Sequence, residues 1–278
     1  MNNGKYKKHR YVSLLAVATL CSGSVATTQE PASPAPDKQV LQRIELPALR
    51  PFPRPEDAVA GDQSRRTAKH AFFNGSDALD PAKKESVAYS LFLPADYSDT
   101  GGERFPLLVF LDFKSSPRLE GQLADLEKRK AWPFIVAAPH PSKDDWSPKR
   151  LLLFLDELEK RFAVDADRIY LTGVSRGGSG TWYTAMAAPE RFAAVAPICG
   201  VPAHSEAGLL VDLAVWASVG AQDSSLIVEA NKEMKTAVEA KGGRKFKLTI
   251  YPGVGHGPGP MYDDPEFYRW LLEQRRKH

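Results

Sequence analysis

Gly173-Val174-Ser175-Arg176-Gly177 follows the run Arg168-Ile169-Tyr170-Leu171-Thr172 and precedes a small-residue stretch from Gly178 to Ala188. The run before it is β-branched and aromatic, as a buried strand is, and the stretch after it has helical apolar spacing. A serine between them sits on a sharp strand-to-helix turn. Glycines two before and two after it remove the Cβ atoms that would collide where the backbone doubles back. This is the pattern of a nucleophile elbow, and it sets the expectation that the Ser175 hydroxyl attacks a carbonyl carbon.

Two further apolar runs end in polar loops. Leu213-Ala214-Val215-Trp216-Ala217-Ser218-Val219 is closed by Gly220-Ala221-Gln222-Asp223, and Phe246-Lys247-Leu248-Thr249-Ile250-Tyr251 leads into Pro252-Gly253-Val254-Gly255-His256-Gly257. Each reads as a strand that delivers one functional side chain into the loop at its end. In the chain order Ser175, Asp223, His256, the histidine takes the serine proton and returns it to the leaving group. The aspartate fixes the imidazole tautomer and stabilises its charged form.

The rest of the chain alternates strands and helices, which predicts an α/β fold with a mostly parallel, doubly wound sheet and antiparallel N-terminal edge strands. Strands are expected over 106–111, 134–138, 168–172, 193–198, 213–219 and 245–251, with two or three more over 68–93. Helices are expected around 120–130, 149–162, 178–188, 226–241 and 265–275. Right-handed crossovers bring the carboxyl ends of the parallel strands to one rim, where the three polar residues can meet.

From about Phe72 onward the chain resembles the secreted esterase and predicted-peptidase branch of the α/β-hydrolases. That branch is related to feruloyl and acetylxylan esterases, polyhydroxybutyrate depolymerases and dienelactone-hydrolase-like proteins. The likeness is carried by Phe105-Pro106-Leu107-Leu108-Val109-Phe110-Leu111, Pro133-Phe134-Ile135-Val136-Ala137-Ala138-Pro139, Asp167 to Ser175, Pro189 to Gly200, and Tyr251-Pro252-Gly253-Val254-Gly255-His256. It implies an α/β-hydrolase fold and a serine esterase that cleaves carboxylic esters, polysaccharide-linked acyl groups foremost, without a cofactor. A prolyl-oligopeptidase-like peptidase is the alternative within enzymes.

The resemblance also implies an oxyanion hole made of the backbone N–H of Arg176 and one from the loop after the 106–111 strand. Where such families carry His-Gly, that loop reads Asp112-Phe113-Lys114-Ser115-Ser116, so Phe113 or Lys114 supplies the second donor. A hole lacking one donor loses about 2.7–4 kcal/mol of barrier lowering, and a non-catalytic glycan-binding module is the reading that loop favours. Arg176 resembles the residue of a Ser-Arg pair in glucuronoyl esterases, which implies a substrate carboxylate held by its guanidinium, the alternative being a structural salt bridge. His140, His204 and Trp146 are candidates for substrate contact; Trp182 is a further candidate platform, with a buried core indole as the more common fate of both tryptophans.

Residues 1–26 combine a basic head (Lys5, Lys7, Lys8, Arg10), an apolar stretch from Tyr11 to Cys21 and the small-residue end Ser24-Val25-Ala26. This is the pattern of a cleaved signal peptide, and its apolar part is too short to span a bilayer. A secreted or periplasmic location follows, with no stable membrane insertion after cleavage. Cys21 fits a lipoprotein signal poorly, because bulky Leu20 precedes it. Residues 27–67 are proline-rich and read as a linker, and 68–278 as the catalytic domain.

The formal charge of +3 arises from 37 Lys and Arg against 34 Asp and Glu. Four of the basic residues lie in the signal segment, so the remainder carries 33 against 34, a balance of −1. No basic block with interleaved aromatics occurs, which argues against nucleic acid as a partner. Beyond the signal, Cys199 is the single cysteine and reads as a small core residue, and no metal-binding spacing of His, Cys or acidic residues appears.

Overall fold

A computed structural model describes residues 40–49, 79–111, 132–140 and 146–277. Eight strands form one sheet: β1 (Val40–Leu49), β2 (Leu79–Phe92), β3 (Phe105–Leu111), β4 (Ile135–Pro139), β5 (Val164–Val174), β6 (Ala194–Ile198), β7 (Ala214–Gly220) and β8 (Phe246–Tyr251). Their order is β1-β2-β4-β3-β5-β6-β7-β8. β1 and β2 pair antiparallel, as do β2 and β4, while every pair from β4 to β8 is parallel. The predicted architecture, a parallel sheet with antiparallel strands at its N-terminal edge, is the one observed.

Among the described residues the α-helices are α1 (Pro148–Arg161), α2 (Arg176–Ala187), α3 (Ser225–Ala240) and α4 (Pro265–Glu273). Alternation along each strand splits the core in two. Leu107, Val109, Ile169, Leu171, Val195 and Val215 face Phe154 and Leu158 of α1, Trp182 and Met186 of α2, and Met234 of α3. Leu108, Phe110, Tyr170, Ala196 and Trp216 face Tyr262 and Phe267, Tyr268 and Leu271 of α4. Because both faces are covered, the central strands are mainly apolar where they cross the core, and each large side chain so buried contributes roughly 1.5–3 kcal/mol.

One departure concerns the proline-rich segment. Residues 40–49, read as part of the 27–67 linker, form β1, whose Ile44 and Leu46 are buried while Leu41, Arg43 and Glu45 are exposed. This period-two burial drives the segment onto β2. Pro47 is tolerated because β1 is an edge strand and the register shifts between Pro47 and Ala48. The predicted helix around 120–130 and the signal segment lie outside the described residues.

Registers align the strand ends at one rim. Leu111 of β3 pairs with Gly173 of β5, Val174 with Ile198 of β6, and Gly220 of β7 with Tyr251 of β8. The loops that follow β5, β7 and β8 therefore open side by side.

Candidate active site

Ser175 lies between β5 and α2 with φ 58° and ψ −114°, a conformation costly for any residue with a Cβ. Its backbone is tied on both sides: its N–H donates to the Ile198 carbonyl (2.9 Å) and its carbonyl accepts from Ser179 N–H (2.9 Å). A Cβ at Gly173 would sit 2.6 Å from the carbonyl oxygens of Leu111 and Gly177, and one at Gly177 would strike the Leu111 carbonyl. The two flanking glycines thus serve close backbone approach, and the turn is held by its surroundings.

Asp223 follows β7 in a turn fixed to the neighbouring loop. Ala221 N–H donates to Tyr251 O (2.9 Å), Gln222 N–H to Val254 O (2.8 Å) and Asp223 N–H to Gly220 O (3.1 Å). Gly220 has no room for a side chain, because a Cβ there would meet the carbonyl oxygens of Val254 and Gly255. The Asp223 carboxylate accepts from Ser224 N–H (2.6 Å), and its side chain is only 3% exposed.

His256 closes the set. Its Nδ1 lies 3.0 and 2.9 Å from the two Asp223 oxygens, and its Nε2 lies 2.8 Å from Ser175 Oγ. An ionised carboxylate only accepts, so Nδ1 carries the proton and the Nε2 lone pair faces the serine hydroxyl. That is the tautomer a general base for Ser175 requires. The ring itself is about half exposed, at 47%, so substrate reaches the site from solvent.

The end of the histidine loop is also tied to the nucleophile strand. Tyr262 Oη is 2.8 Å from Thr172 Oγ1, which donates to Ala196 O (2.7 Å), and Tyr268 Oη donates to Tyr262 O (2.8 Å). These groups are buried, and sequence reading did not single them out. Ninety residues separate Thr172 from Tyr262, and only the fold makes them neighbours.

Arg176 is exposed at the first position of α2, where backbone N–H groups point out of the helix end. Phe113 and Lys114, expected to supply the second oxyanion donor, lie outside the described residues. His140 follows β4, two strands from β5, with its Nε2 3.2 Å from Ser90 Oγ on β2. Burial first, then the Arg43 charge, holds its pKa below the usual histidine value.

Three candidates for substrate contact have intramolecular partners here. His204 turns to α3, where its Nε2 donates to Ala230 O (2.8 Å) and its Nδ1 lies 3.6 Å from Glu233. Trp146 is 6% exposed and packs against Gly180 of α2. Trp182 is fully buried and stacks on Phe246 with ring centroids 5.8 Å apart. Indole burial beneath the sheet outweighs its use as a surface platform here.

Topology and site together define the α/β-hydrolase fold. Within it, residues 143–261 match the model of the dienelactone hydrolase family, a span that contains Ser175, Asp223 and His256. Among solved structures, a thermostable esterase is 28% identical, with a TM-score of 0.62 over 71% of this chain and 61% of its own. A ferulic acid esterase is 15% identical, with a TM-score of 0.54 over 84% and 97%. Dipeptidyl peptidase 4 of Porphyromonas gingivalis is 14% identical, with a TM-score of 0.56 over 68% of this chain and 34% of its own. The chain thus spans about three fifths of that esterase and a third of that peptidase. A search of curated proteins returned no match.

Proposed function

We propose that the chain is an exported serine hydrolase that cleaves carboxylic esters, polysaccharide-linked acyl groups foremost. The observation that carries the hydrolase reading is the continuous relay from Asp223 through His256 to Ser175, with heavy-atom separations of 2.8–3.0 Å. The half-exposed imidazole suits an ester borne on a bulky polymer, and the resemblance to feruloyl and acetylxylan esterases supports that substrate class. Export rests on the pattern of residues 1–26.

In this reading Ser175 Oγ attacks the ester carbonyl while His256 Nε2 takes its proton. Negative charge on the carbonyl oxygen develops beside the head of α2, where the Arg176 N–H and the helix dipole stabilise it, with a second amide from Phe113 or Lys114. His256 then protonates the leaving alcohol, and water attacks the acyl-enzyme by the same route in reverse. The Arg176 guanidinium, one residue past the nucleophile, is assigned to a carboxylate on the substrate.

A panel of p-nitrophenyl acyl esters and chromogenic peptides tests this. Ester turnover that falls about 10⁶-fold in Ser175→Ala is the expected result. Peptide turnover without ester turnover would move the assignment to a peptidase. Arg176→Met should lower the preference for carboxylate-bearing over neutral esters, and an unchanged preference removes that role.

A further inference from the structure

Cys199 takes no part in this mechanism, yet the fold puts it at the same rim. It follows β6, the strand between β5 and β7, so it emerges between the nucleophile and the acid. Its side chain is 1% exposed, and it forms no disulfide. Its N–H donates to Ser218 O on β7 (2.8 Å), which fixes the backbone that carries the thiol. Cys199 Sγ, an Asp223 oxygen and a His256 ring nitrogen all lie within 4.8 Å of one another.

We propose that Cys199, Asp223 and His256 form a site for Zn²⁺ or a similar borderline-soft divalent cation, and that its occupancy shuts off hydrolysis. The metal site stands on the three side chains alone, while the inhibition rests on the hydrolase reading above. One sulfur, one nitrogen and one carboxylate oxygen are the donor types zinc selects, whereas Mg²⁺ and Ca²⁺ take oxygen donors. Tetrahedral zinc with ligands at about 2.0–2.3 Å needs donor atoms roughly 3.5 Å apart. With the three donor atoms within 4.8 Å of one another and the His256–Asp223 pair already at 2.9–3.0 Å, side-chain shifts of about 1 Å complete the set.

Charge also balances. Binding displaces the Cys199 thiol proton to solvent, and thiolate plus carboxylate then neutralise the divalent ion, leaving no net charge at the buried end of the site. Water fills the fourth position. The consequence for His256 is the same whichever nitrogen ligates. Metal on Nε2 takes the lone pair that faces Ser175, and metal on Nδ1 leaves the proton on Nε2, so the base is lost either way.

Zn²⁺ titration of the full chain against p-nitrophenyl acetate tests the proposal, with each protein normalised to its own metal-free rate. The expected result is inhibition reversed by EDTA and absent with Mg²⁺, with an inhibition constant at least about tenfold higher in Cys199→Ala. Co²⁺ provides a readout independent of activity: a thiolate-to-cobalt charge-transfer band in the near ultraviolet, present in the wild type and missing in Cys199→Ala. The wild-type measurement stands if the variant misfolds. A band in a wild type that turns over no substrate keeps the metal site and defeats the hydrolase reading. Absence of the band, or equal zinc inhibition in wild type and Cys199→Ala, overturns the proposal.

Discussion

The nucleophile elbow and the histidine loop meet through one hydrogen bond, but they are held by different forces. Around Ser175 the backbone is wedged: Gly173 and Gly177 lie so close to neighbouring carbonyls that neither has space for a methyl group. No residue of the loop from Pro252 to Pro260 is buried, and a Cβ on Gly255 would meet nothing within 4 Å. Its position comes from tethers at its two ends, Gln222 to Val254 on one side and Tyr262 to Thr172 on the other. In the proposed mechanism steric confinement fixes the attacking group, while hydrogen bonds, with the close packing of Gly220 on the Val254 and Gly255 carbonyls, fix the base. The strained residue is thus the one with no freedom to relax, while the proposed proton carrier sits on the more exposed loop.

The largest effect that separates the regions is chemical. Asp223→Asn should leave the elbow untouched and still cost about 10⁴-fold in kcat, because the amide no longer holds the imidazole in the tautomer that faces Ser175. A loss confined to KM would break the tether account.

Next comes a pair of substitutions. Gly177→Ala drives a methyl group onto the Leu111 carbonyl and should destabilise the fold by about 3 kcal/mol, seen as a lower denaturation midpoint. Gly255→Ala should lie within about 1 kcal/mol of the wild type. Equal effects at both positions would erase the distinction between wedge and tether.

Tyr262→Phe removes one buried hydroxyl and should cost about 1 kcal/mol of stability. As a positioning residue it should also lower kcat several-fold with KM unchanged, an effect that a purely structural role would not produce.

The smallest effect involves His140, at the same rim but outside the relay. Burial and Arg43 depress its folded pKa, so the unfolded chain binds its proton more readily. Its contribution is present above the unfolded pKa of about 6.5 and is lost as pH falls through the lower folded value. His140→Gln should flatten the dependence of the melting temperature on pH below 6.5.

What was legible in the sequence follows the same division. The elbow announces itself, because close backbone approach leaves glycines at fixed offsets from Ser175, and fully buried parallel strands leave continuous apolar runs. Asp223 and His256 were readable because each follows such a run. β1 was hidden: only Ile44 and Leu46 alternate into the core, and the prolines around them dominate the local pattern. His204 and Trp146 read as cleft residues because each lies near a predicted strand end or loop, but their partners, Ala230 and Gly180, are set by helix packing that sequence order does not encode. Cys199 gave no sign of its neighbours, since 24 and 57 positions separate it from Asp223 and His256. The Thr172 and Tyr262 hydroxyls were invisible for the same reason.

The most direct measurement is fluorophosphonate labelling of folded protein, followed by peptide mass spectrometry, in the wild type and in His256→Ala. Activation of Ser175 by the relay predicts one adduct, on Ser175, that forms rapidly in the wild type and is lost in the variant. A well-folded wild type that carries no adduct on Ser175, or that labels at the same rate without His256, would contradict it.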